Sequence, residues 1–421
     1  MKKIKKTFAD LYQLANKVGF LHLLSANLLI QISAFGGQIF LTRILSVEDI
    51  GTIKVLQSYL NILILVASLG LNTSVLKLCS EDISKKKQKS IFNISFLITI
   101  VSSFIIMLIV INLVNVSIIN VDNLIKIYIF LIPILSLTNL IIVYLQSQQK
   151  IKTMSIIQSY TKIFIVIFST LFAYWLGLEG YIYSLVILNF ISFIVILLFI
   201  RREMNFKYIF NITIPKLKNI FNNGLFAFGS NLLGTLMSNV NIIMATFLTI
   251  NSKEIGYYSI AQLIISAMMM FPATLGQIMI PKISRVSHNV EDVKILLKKY
   301  QIRNTIISIS VALIAGIFAP FILPLVFGEK YSNSVFYLEI LLIGFIFWSI
   351  YSPKGITLMS VGRSDINLYI NTIATILNIT INYFFISRYG MYGAAIANTI
   401  TYLLTIFING YFFNKIYLRN N

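Results

Sequence analysis

The chain has 421 residues, of which 57% are hydrophobic and only 11% charged, with Lys and Arg outnumbering Asp and Glu by 34 to 14. A soluble domain carries about 25% charged residues, so this composition excludes a water-solvated globular enzyme and makes the bilayer the main solvent. The net charge of +20 would suggest nucleic acid, but the basic residues are spread through loops between apolar runs, which argues against such a partner.

About twelve apolar runs, each near the ~20 residues that cross a hydrocarbon core, fill the chain from Phe20 to Phe413. The predicted spans of the first half are Phe20 to Thr42, Ile53 to Leu76, Ile91 to Val114, Leu124 to Leu145, Ser155 to Leu176 and Gly180 to Ile200. After a basic stretch from Arg201 to Lys218 come Phe221 to Leu248, Gly256 to Ile280, Asn304 to Phe327, Ser334 to Met359, Ile366 to Ile386 and Met391 to Phe413. Alternate loops are strongly basic: the N-terminal lysines, Lys85 to Lys89, Lys150 and Lys152, the 201–218 stretch, and Lys282 to Arg303. The opposite loops carry Arg43, Lys54, Lys126, Lys253, Lys330 and Arg388 against acidic residues such as Glu48, Asp49, Glu254 and Glu329. Basic residues mark loops retained in the cytosol, so both termini are expected there. Attraction to anionic lipid gives the lysine clusters a sufficient role.

The basic N-terminus precedes a long apolar run with no obvious cleavage site and reads as a retained first span. Cys79 is the single cysteine, which rules out an internal disulfide, and no metal-ligand spacing, phosphate loop or nucleophile elbow occurs. No catalytic residue, cofactor or metal is expected, and the protein reads as a non-enzyme.

A weak internal repeat runs at an offset of about 205 residues. Asp49-Ile50-Gly51 recurs as Glu254-Ile255-Gly256, Gln57 as Gln262, and Asn27-Leu28-Leu29 as Asn231-Leu232-Leu233; Gly177-Leu178-Glu179-Gly180 resembles Gly390-Met391-Tyr392-Gly393. Six spans separate equivalent points, so the halves keep one orientation, as parallel repeats do. The expected architecture is all-α and integral to the membrane, with about twelve transmembrane helices in two six-helix bundles. The expected division is residues 1–200, a cytosolic basic linker at 201–220, and residues 221–421.

Three local patterns carry a family resemblance. Pro324 to Tyr331, with Gly328, closes the ninth span; Gly362-Arg363 with Asn378 and Asn382 surrounds the eleventh; Gly390-Met391-Tyr392-Gly393-Ala394-Ala395-Ile396-Ala397 opens the twelfth. Together with the loop from Arg43 to Gly51 they resemble the bacterial polysaccharide flippases of the O-antigen type, over essentially the whole chain. The resemblance implies a fold like that of the multidrug and toxin extrusion exporters, with a central cavity opening to either side in turn. It implies as substrate an undecaprenyl-diphosphate-linked oligosaccharide, carried to the outer leaflet for surface polysaccharide synthesis. A polysaccharide polymerase and a chain-length regulator are the implied protein partners.

Such a substrate needs polar, net cationic walls through the hydrocarbon zone. Asn27, Gln31, Ala34, Gln38 and Thr42 share one face of the first span, and Asn231, Thr235, Ser238 and, slightly displaced, Asn241 repeat the stripe on the seventh. The competing reading is hydrogen-bonded glue between helices of one bundle. Lys162 lies about 10 Å into the fifth span at ~1.5 Å per residue, where an unpaired charge costs about 3 kcal/mol; it either meets a diphosphate or snorkels to the surface. Lys354 follows Pro353, whose freed carbonyl and kink favour an inward-facing site. Arg43 and Lys54 flank the outer mouth, as diphosphate contacts or as interfacial anchors. Glu339 and His22 could titrate in a proton-coupled cycle, or sit satisfied at the interface. A drug exporter of the same fold would favour carboxylates where Lys162 and Lys354 stand, the peptidoglycan lipid flippase has about two further spans, and a membrane polysaccharide polymerase would need a large outer loop.

Overall fold

The computed structural model describes residues 20–81, 83–115, 124–201 and 214–418, and no strand occurs among them. The N-terminal lysines, Arg419 and most of the 201–220 linker lie outside these residues. The helices are α1 (Phe20–Ile44), α2 (Val47–Ser68), α3 (Leu71–Ser80), α4 (Lys85–Asn115), α5 (Ile125–Tyr128) and α6 (Leu131–Ser147). They continue as α7 (Ile151–Ile200), α8 (Ile214–Phe247), α9 (Ser252–Arg285), α10 (Val290–Phe327), α11 (Ser334–Ser360) and α12 (Ser364–Phe412). Helix dominates because a bilayer offers no water to backbone N–H and C=O groups, which must pair within the segment. Eight segments of the described chain are long and apolar enough to cross a membrane, so this is a multi-pass membrane protein.

Two of the eight, α7 and α12, have 50 and 49 residues. At ~1.5 Å per residue each would reach about 75 Å, more than twice a ~30 Å hydrocarbon core. Each folds back at a glycine instead. Gly177 adopts φ 64°, ψ −147° and Gly390 φ 58°, ψ −142°, a region that only glycine occupies without strain. Beyond the reversal the arms touch: a Cβ on Gly180 would lie 2.5 Å from the Phe172 carbonyl oxygen, and one on Gly393 2.0 Å from that of Phe385. Residues eight apart in a continuous helix are separated by ~12 Å along the axis, so these contacts define two helical hairpins with matching turns. The second predicted span, by contrast, is interrupted, with Leu69 and Gly70 at positive φ between α2 and α3.

By internal contacts the chain divides into Met1–Leu45 with Tyr59–Leu232, and Ser46–Ser58 with Leu233–Asn421. In the first unit the ends of α3 and α6, the start of α4 and both ends of α7 close on a core that includes Leu78, Phe92, Tyr144, Met154 and Ile200. Phe92 stacks on Tyr144 with ring centroids 4.2 Å apart. In the second unit a core of Ile283, Val293, Leu297, Leu358, Ile366, Ile370 and Phe413 joins the equivalent ends of α9, α10, α11 and α12. The repeat seen in sequence is thus a repeat of packing.

The start of α2, as far as Ser58, belongs to the second unit, and it crosses the first turn of α9 backbone to backbone. A Cβ on Gly51 would lie 1.9 Å from the Ser252 carbonyl oxygen, and a Cβ on Gly256 2.2 Å from that of Val47. Val47 and Ser252 are themselves equivalent at the repeat offset, so the contact is reciprocal, as at a local twofold axis. Ser46 and Asp49 fix the start of α2 by a capping box: the Ser46 hydroxyl accepts from the Asp49 N–H at 3.0 Å and the Asp49 carboxylate from the Ser46 N–H at 3.0 Å.

Candidate functional site

On α1, Gln31 and Ala34 are exposed and Gln38 is half-buried, whereas Thr42 is fully buried and donates to the Ile39 carbonyl at 2.7 Å. The predicted stripe is therefore open along its middle and closed at its end. The side chains of Asn27 and His22 lie outside the described residues. On α8, Asn231 and Ser238 are exposed and Thr235 is half-buried, which keeps one continuous polar face. Asn241 departs from it: the residue is 2% exposed and its amide donates to the Tyr258 hydroxyl at 2.7 Å. The displacement visible in the sequence turns Asn241 into the second unit, where it acts as glue.

Lys162 is exposed on the first arm of α7 and Lys54 half-buried on α2. Arg43 is exposed at the end of α1, and Glu339 is exposed on α11. Lys354 is half-buried and reaches across to the second arm of α12, with its Nζ 3.4 Å from where a Cβ on Gly410 would stand. The absence of a side chain at Gly410 makes room for the ammonium group.

The proline beside Lys354 leaves a carbonyl of α11 without its helical donor. Pro353 cannot donate to the Ser349 carbonyl, and that orphaned oxygen accepts instead from the Asn304 amide at 2.7 Å. The next carbonyl, of Ile350, accepts from the Gln301 amide at 2.8 Å. Two side chains of α10 therefore hold the carbonyls of α11 before Pro353, and the freed one is bonded within the unit. On the other flank Asn367 donates to the Gly355 carbonyl at 2.7 Å.

Sequence reasoning missed a polar aromatic cluster in the second unit. Tyr337 stacks on Tyr392 with centroids 4.2 Å apart and meets Tyr258 edge-on at 6.3 Å. Glu254, acidic at the start of α9, accepts the Met391 N–H at 3.1 Å and so clamps the α12 hairpin turn. The repeated glycine turn was legible, but its clamp, 137 positions away, was not.

The fold is that of the multidrug and toxin extrusion transporters. An inward-facing multidrug resistance MATE family transporter of the MOP superfamily superposes with a TM-score of 0.74 at 14% identity, over 90% of this chain and 92% of that one. The lipid II flippase MurJ in its inward closed conformation gives a TM-score of 0.72 at 15% identity, over 92% of this chain and 86% of that one. Within that fold the sequence is specific: residues 40–336 match the polysaccharide biosynthesis protein family, to which this chain belongs. A putative O-antigen transporter of Shigella flexneri is 26% identical over 185 residues, which is 43% of this chain and 44% of that protein. The capsular polysaccharide biosynthesis protein CapF of Staphylococcus aureus is 24% identical over 278 residues, 65% of this chain and 69% of its own length. The chain thus spans less than half the length of the Shigella relative and about two thirds of the Staphylococcus one.

Proposed function

We propose that the protein is a flippase that moves undecaprenyl-diphosphate-linked oligosaccharide units from the cytosolic to the outer leaflet of the bacterial plasma membrane. The family match over residues 40–336 carries this reading, because it separates the chain from the drug exporters that share its fold. In this reading the chain crosses the membrane twelve times, as a bundle in 1–200 and another in 221–421, with both termini and the basic linker cytosolic. The open polar faces of α1 and α8, namely Gln31, Gln38, Asn231, Thr235 and Ser238, offer amide and hydroxyl groups to sugar hydroxyls. Asn27 continues the first of these faces by helical spacing. Lys162 and Lys354 supply positive charge within apolar helices, with Arg43 and Lys54 near the opposite ends; all four suit a diphosphate. Ion coupling, through Glu339 or His22, is secondary to this reading. The polymerase and chain-length regulator act on the delivered product, and the protein itself catalyses no bond change.

Deletion of the chain in its own host tests the proposal. Undecaprenyl-diphosphate oligosaccharide should accumulate facing the cytosol while surface polysaccharide falls. Normal surface polysaccharide with no accumulation would refute it. Reporter fusions after Asn421 and within the linker test the topology, and an outer-side signal at either place would break the twelve-span arrangement.

A further inference from the structure

A cavity of about 240 Å³ lies inside the second unit between α9 and α10, and neither the residues of the polar stripes nor Lys162 or Lys354 line it. That volume holds about eight waters at ~30 Å³ each, the size of a small polar headgroup. Ile278, Met279 and Lys282 contribute from α9, and Lys299, Tyr300 and Arg303 from α10. Lys282, Lys299 and Arg303 are all exposed, and none of the three forms an ion pair among the described residues. At the start of α10 the Glu291 carboxylate is engaged by Lys294 at 2.7 Å.

Tyr300 is the second, independent feature. It is 3% exposed, it lines the cavity, and its hydroxyl has no hydrogen-bond partner among the described residues. The hydroxyl packs over Gly276, 3.1 Å from where a Cβ would stand. A buried hydroxyl lacking a partner beside three unpaired cations is a donor set without an acceptor.

Depth identifies the acceptor. Lys282 and Arg303 lie ~45 and ~36 Å from the far ends of their helices at ~1.5 Å per residue, both farther than a ~30 Å hydrocarbon core and within the ~40–45 Å that includes the headgroups. On the α9 wall Ile278 is 51% exposed, an apolar surface continuous with the cationic rim.

We propose that this cavity binds the phosphate headgroup of a membrane lipid. Arg303 presents a planar fork to the phosphate oxygens, Lys282 and Lys299 close on it from the two helices, and the Tyr300 hydroxyl donates from the floor. Ile278 and Met279 cover the first methylenes of the tail. Anionic phospholipid and undecaprenyl diphosphate share this chemistry. The site is read by binding, so it stands or falls separately from the flippase proposal.

Native mass spectrometry of the purified full chain tests it, with phosphatidylglycerol and undecaprenyl diphosphate as probes. Wild type should retain lipid, and the Lys299→Ala, Arg303→Ala double variant should bind at least tenfold less. Tyr300→Phe should lose severalfold, whereas Lys298→Ala, on the same helix but outside the cavity, should bind as wild type. Lys282→Ala provides a second variant, on the other wall, with the same expected direction. Stronger retention of undecaprenyl diphosphate would assign the site to the transport substrate, and equal retention would assign it to bulk phospholipid. Undiminished binding by the double variant, or an equal loss in Lys298→Ala, would overturn the site. Displacement of the lipid by equimolar inorganic phosphate would overturn its assignment to a lipid.

Discussion

Substituting Gly51 or Gly256 by alanine tests the reciprocal crossing of α2 and α9. The new methyl at Gly51 would stand 1.9 Å from the Ser252 carbonyl oxygen and that at Gly256 2.2 Å from the Val47 oxygen. Ordinary contact begins near 3.4 Å, so the helices must part by about 1.2 to 1.5 Å. Both obstructing atoms are backbone, so no rotamer change relieves the clash. Overpacking of this kind costs about 1–3 kcal/mol. The two clashes share one crossing: once either alanine has moved the helices apart, the other fits with little further cost. The double variant should therefore lose about as much as the worse single variant, well short of the sum. Melting of the purified protein in detergent, followed by fluorescence, measures all three. Either alanine melting at the wild-type temperature, or fully additive losses, would refute the crossing.

Gly390→Ala should destabilise more than Gly177→Ala. Both incur the ~1–3 kcal/mol of a non-glycine residue in that backbone region, but only at Gly390 does the Cβ also meet the Glu254 carboxylate, at 2.5 Å, and disturb its bond to Met391; the same melts rank the two. Asn304→Ala should cost about 1–3 kcal/mol by leaving the Ser349 carbonyl buried without a donor, read as a lower melting temperature. In a Cys79→Ser background, a cysteine at Ser238 should react with a membrane-impermeant thiol reagent and one at Asn241 should not; equal labelling would erase the distinction between open face and interior. Lys162→Ala should reduce surface glycan while Lys162→Arg keeps much of it, at equal membrane abundance; equal export by both would leave only snorkelling.

The apolar spans, the two hairpin turns and the repeat were legible in the sequence because each is local. Transfer of an ~20-residue apolar run into lipid is favourable whatever surrounds it, and a glycine turn depends on its own φ and ψ. The polar stripes were legible only as helical faces. Period alone places Asn231, Thr235 and Ser238 together, yet whether the next residue of the stripe, Asn241, meets an open surface or Tyr258 depends on a helix that begins beyond a turn. The same limit hid the meaning of Pro353, whose freed carbonyl could have faced a substrate and is met by Asn304 on α10. Gly51 and Gly256 were visible as repeated letters, but their need to be glycine arises only where two backbones cross. The sequence thus determined that the chain is a multi-pass membrane protein of apolar helices and where two of those helices turn back, since those free energies are summed along the chain. Tertiary structure alone decided which polar groups are spent on holding helices together and which remain open, because that choice is made by partners tens of residues away.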